Sequence, residues 1–71
     1  MSDIDSGREK LIAHAKKILK SNMKGSYIAK EINMNTRQLY DYRNGIKNIE
    51  TAYLDTLLKF EGLYQKIKDD L

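Results

Sequence analysis

Only three residues, Asn33-Met34-Asn35, separate two short runs of helical apolar spacing, and this break constrains the fold more than any other feature. Ile28, Ala29 and Ile32 recur at helical intervals before it, and Leu39 and Tyr42 after it. Three residues make a tight turn rather than a free loop, so the two helices are held at a corner. Asn tolerates the left-handed backbone better than most residues, which suits such a corner. Asn35 can cap the second helix, with Gln38 in the reciprocal capping-box position. Ser26 can cap the first, and Asn44-Gly45 is a stop signal for the second. The unit spans about residues 26–45.

The flanking segments are also helical in pattern. There is no Pro, strand signals are few, and Lys, Leu, Ile, Glu and Ala dominate. Ser6 and Glu9 have the spacing of a capping box, and Leu11, Ile12, Ala15, Ile18 and Leu19 then share one face. Lys10, Lys16, Lys17 and Lys20 take much of the rest, and Ser21–Gly25 reads as a loop. His14 lies beside the apolar face as an edge residue rather than a ligand. After a loop through Lys47, Asn48 can cap a long last helix over about residues 48–70, with Glu50 in its first turn. The expected fold is all-α, one domain over residues 1–71, with four or five helices.

Along the last helix Tyr53, Leu57, Phe60, Tyr64, Ile67 and Leu71 alternate at spacings of four and three. This is a heptad seam, and it is expected to form a homodimer interface. Ile46, Leu54 and Leu58 form a second apolar edge, so one edge can pack on the first three helices while the other meets a partner. Gly62 weakens the helix by about 1 kcal/mol relative to Ala and marks where it can bend or break.

Charge is divided unevenly. Residues 8–47 carry ten Lys or Arg against three acids, whereas residues 48–71 carry three Lys against five acids. A basic middle between acidic ends fits a surface that faces a polyanion. There is no Cys and only one His, so neither a disulfide nor a metal site is expected, and no cofactor. With no apolar run of transmembrane length and no signal-peptide pattern, the reading is a soluble, cytoplasmic protein.

Two short helices joined by a tight turn, with small and apolar residues at set positions, define a helix-turn-helix. Ala29 sits at the crossing, where a larger side chain would push the helices apart. The stretch GSYIAKEINMNTRQLYDYRNGIK, Gly25–Lys47, resembles the DNA-binding motif of phage Cro/repressor-type (XRE-like) helix-turn-helix proteins. The resemblance is carried by Ile28-Ala29, Ile32, Leu39 and the exit Asn44-Gly45-Ile46-Lys47, and by YLDTLLKFEGL at Tyr53–Leu63. It covers about residues 8–63. The family usually has Gly where this chain has Asn33, and often Gln where it has Gly25.

The resemblance implies a lambda-repressor-like fold and a partner in double-stranded DNA. Residues at the start of the second motif helix would touch base edges: Thr36, Arg37, and Tyr40 or Asp41. A guanidinium such as that of Arg37 can bond guanine O6 and N7 together. Thr36 can meet a thymine methyl or donate a hydrogen bond, and Asp41 can accept from cytosine N4 or steer Arg37. Ser26, Tyr27, Asn35, Arg43, Asn44 and Lys47 would hold phosphates. The implied role is a phage or mobile-element repressor or autoregulator that binds an inverted repeat as a dimer. The alternative is a protein-interaction module, or the DNA-binding part of a fused effector such as an inhibitor of a host defence nuclease. A fused C-terminal domain or protein partner following residue 71 fits either reading. No nucleophile–base pair, phosphate-cradling Gly loop or metal spacing points to an enzyme.

Overall fold

The computed structural model describes residues 3–71, with side chains from residue 7 onward. The described residues form four α-helices, α1 (Asp3–Lys20), α2 (Gly25–Glu31), α3 (Thr36–Arg43) and α4 (Leu54–Ile67), and no strand. Two 3-10 turns, Ile49–Thr51 and Lys68–Asp70, precede and follow α4. No described helix is long and apolar enough to cross a membrane. Backbone helix begins at Asp3, one turn ahead of Ser6, whose side chain lies outside the described residues.

The core follows the apolar spacing. Ala15, Ile18 and Leu19 of α1, Ile28, Ala29 and Ile32 at α2, and Leu39 of α3 are buried in one cluster with Leu57, Phe60, Leu63 and Ile67 of α4. Leu11, Ile12, Met34 and Tyr42, also expected inward, are partly buried against it. The Tyr42 ring meets Phe60 edge-on, with centroids 6.5 Å apart, a favoured aromatic geometry.

The heptad seam is therefore this chain's own core, and the expectation of an interface along it is corrected. Leu57 and Phe60 are fully buried and Ile67 nearly so, because α4 closes over α1. Tyr64 is half-buried, its ring stacked on His14 at 3.8 Å between centroids. Only Tyr53 and Leu71, at the two ends, are exposed. Gly62 does not end α4, which runs on to Ile67 with Phe60 and Leu63 buried on both sides of the glycine.

The last helix also begins later than its capping signal. The Asn48 side chain accepts from the Glu50 amide, but it caps the 3-10 turn. Ile49 and Ala52 share a side at 3-10 spacing, and both are buried. A continuous helix would have given the carbonyls of Glu50 and Ala52 to amides four residues on. Instead both accept from the Arg8 guanidinium, at 3.0 and 2.8 Å. Ala52 and Tyr53 are extended, and α4 starts at Leu54.

His14, read as an edge residue, ties α1 to α4. Its Nδ1 lies 2.6 and 2.9 Å from the two carboxylate oxygens of Glu61. An ionised carboxylate only accepts, so Nδ1 carries the proton. Burial pushes the Glu61 pKa up, but the hydrogen bonds from His14 and Gln65, with the charges of His14 and Lys68, hold it below its ordinary value of 4.5. A carboxylate favoured by folding stabilises the protein above its unfolded pKa, and the gain is lost as pH falls through the lowered folded pKa. Denaturant titrations at successive pH values should show Glu61→Gln losing less stability through the carboxylate range than the natural chain. Equal pH slopes would remove this ion pair from the account.

Candidate nucleic-acid interface

The corner between α2 and α3 is a complete Schellman closure. Asn33 has φ 55°, the left-handed conformation expected of it. Its amide donates to the Lys30 carbonyl at 3.2 Å, and the Met34 amide donates to the Ala29 carbonyl at 2.8 Å. Two of the orphan carbonyls at the end of α2 are thus satisfied, and Met34 packs against the core. Ala29, 1% exposed, lies beneath this crossing.

Asn35 then caps α3. Its Oδ1 accepts from the Arg37 amide at 2.8 Å. The cap is this single bond, not the reciprocal pair anticipated with Gln38. Gly45, at φ 82°, closes the other end, its amide donating to the Tyr42 carbonyl. The first helix starts two residues earlier than a cap at Ser26 would give: α2 opens at Gly25 after an extended Lys24, which places Ser26 and Tyr27 in its first turn.

Within α3, Leu39 points inward and is fully buried. Helical rotation turns Arg37, Tyr40 and Asp41 away from it, while Thr36, one turn before it, opens the helix and is exposed. Arg37 and Tyr40 are exposed and Asp41 is half-exposed, so all four base-contact candidates reach the surface. Arg37 forms no ion pair among the described residues. Its guanidinium therefore reaches solvent with its donors available. Ser26, Tyr27, Asn35, Asn44 and Lys47 are exposed as well. The ammonium of Lys47 lies 6.0 Å from the centre of the Tyr42 ring.

Arg43 is a correction. It is half-buried, and its Nε donates to the Leu19 carbonyl at 2.9 Å, with Nη2 3.4 Å from the Ser21 carbonyl. These carbonyls end α1, where four acceptors lack helical partners and a cation is favoured. Arg43 is thus a clamp between α3 and the end of α1, with Nε and Nη2 engaged there. Arg43→Ala should cost stability, about 1–3 kcal/mol for hydrogen bonds from a charged donor, measured by urea unfolding. A variant as stable as the natural chain would return Arg43 to the surface set.

Sequence reasoning missed one contact within the site. A Cβ placed on Gly25 would lie 2.5 Å from Cζ of Tyr40 and 2.8 Å from its hydroxyl oxygen. The Tyr40 ring therefore lies across the opening of α2, in space that any larger residue at position 25 would fill. Gly25 was legible only as a departure from the family's usual Gln; that it accommodates Tyr40 depends on how α2 and α3 meet. No known family model, curated protein or solved structure matches this chain.

Proposed function

We propose that the chain is a helix-turn-helix DNA-binding regulator of the lambda-repressor-like type, with α3 laid in the major groove. The observation that carries this reading is the outward face of α3. Thr36, Arg37 and Tyr40 stand exposed together on a helix capped at both ends and backed by the buried Leu39. An α-helix with its side chains is about 10–12 Å across, so α3 fits a major groove about 12 Å wide. Arg37 reads guanine and Thr36 contacts a thymine methyl or a base acceptor. Tyr40, whose ring lies beside Gly25, presents its hydroxyl and ring to the same groove. Ser26, Tyr27, Asn35, Asn44 and Lys47 bind phosphates and set register.

The uneven charge supports the same assignment. The basic residues concentrate on the part of the chain that includes the two motif helices, and the acidic excess falls on residues 48–71. Phosphate neutralisation makes binding salt-dependent. The regulator acts as a homodimer on an inverted repeat, with half-sites about one helical turn, roughly 34 Å, apart. It represses by occupying its operator.

Selection from a random duplex library at physiological salt, followed by sequencing, tests this. Enrichment of an inverted repeat is the expected result. Enrichment of a lone half-site keeps base reading and removes the dimer. Salt-sensitive retention with no enriched sequence overturns the reading.

A further inference from the structure

The side of α4 that faces away from Phe60, Leu63 and Ile67 carries two exposed leucines. Leu54, Leu58 and Gly62 follow one another there at intervals of four. Leu54 is 54% exposed and Leu58 50%, with Tyr53 exposed at the helix start. A Cβ built on Gly62 meets nothing within 4 Å, so the helix surface is open and low at that point. Beside this row stand Asp55 and Lys59, both exposed and neither in an ion pair among the described residues.

We propose that this edge binds a second copy of the chain, the two α4 helices packing antiparallel about a two-fold axis at Leu58. The register follows from helix geometry. With Leu58 on the axis, Leu54 comes level with the partner's Gly62, and the partner's Leu54 with Gly62. A large side chain thus meets a gap on each side of the axis. A two-fold axis brings the same edge of each helix together, so Asp55 lies about 3 Å along the axis from the partner's Lys59. Along that edge the order is Asp55, the partner's Lys59, Lys59, the partner's Asp55. Each ammonium has a carboxylate on its outer side. Shape and charge are both self-complementary, which is what an isologous interface requires of one surface. It is this fit to itself that selects a second copy over a foreign protein. The apolar row is short, so association is weak and depends on concentration.

The contact rests on the regulator reading only for its role: it would supply the homodimer that an inverted repeat needs. Its test uses no DNA, so either reading can fail alone. Because the chain contains no Cys, a single introduced thiol reports one position without background. Under mild oxidation of the full chain, Leu58→Cys should form a disulfide dimer at least about tenfold faster than Ala13→Cys, an exposed site on α1. In sedimentation equilibrium, Asp55→Lys should weaken the dimer about tenfold, and Asp55→Lys combined with Lys59→Asp should restore it. All four positions are exposed, and circular dichroism checks that each variant is folded. Equal cross-linking rates at the two thiols, or a natural chain that sediments as a monomer from micromolar to millimolar concentration, would overturn the proposal. So would a double charge exchange that leaves the dimer as weak as the single one.

Discussion

Phe60→Ala is expected to lower the free energy of unfolding by about 3–5 kcal/mol. The ring is fully buried, beside Leu57 and Leu63 of its own helix in the cluster that joins α1 to α4. Removing it loses the transfer energy of the ring and leaves a cavity that its neighbours fill only in part. The Tyr42 edge contact goes with it. A chain of 71 residues has a total stability of roughly 4–11 kcal/mol, so the variant sits near the unfolding threshold. For a domain of this size each kilocalorie moves the midpoint by about 4–8 °C, so a fall of roughly 12–40 °C is expected. Thermal melting followed by circular dichroism measures it. Leu58→Ala, four-residue spacing on the outer side of the same helix, should shift the melt of dilute protein by about 0.5 kcal/mol or less. Two variants of equal stability would mean that α4 does not face the core with the side described.

The second large effect is at Arg37. Arg37→Ala should weaken binding to the selected operator by about 1–3 kcal/mol per half-site, roughly 5- to 150-fold, and relax the choice of base at one position. The side chain is exposed and its backbone amide alone serves the Asn35 cap, so the substitution leaves α3 intact. Binding isotherms against the operator and against operators changed at each position would show the loss confined to one base pair. Lys47→Ala is the comparison: it should weaken all sequences alike and reduce the salt slope by about one. If Arg37→Ala behaved like Lys47→Ala, Arg37 would be a phosphate contact and the assignment of base reading to it would fall.

Arg37 shows where sequence suffices. The inward set on α1, α2 and α3 was legible because apolar spacing alone reports the buried side of a helix. The corner was legible because few residues adopt a left-handed backbone, and Asn33 is one of them. Arg37 and Tyr40 followed from the same logic: with Leu39 inward, helical rotation turns them outward. Arg43 shows the opposite case. Its spacing on α3 gave no sign that the end of α1 lies within reach of its guanidinium, 24 residues away along the chain.

Local chemistry thus determined the all-helical class, the turn at Asn33, the cap at Asn35 and the outward face of α3. Each depends on residues within a few positions of one another, where propensity and hydrogen bonding act without the rest of the fold. Tertiary structure alone decided four things: that the seam of α4 is core while Leu54 and Leu58 face out, that Arg8 holds the residues before α4 away from it, that Arg43 clamps α1, and that Gly25 makes room for Tyr40. An amphipathic helix with two apolar edges satisfies its own periodicity with either one inward. Only the shape left by the other three helices chooses between them.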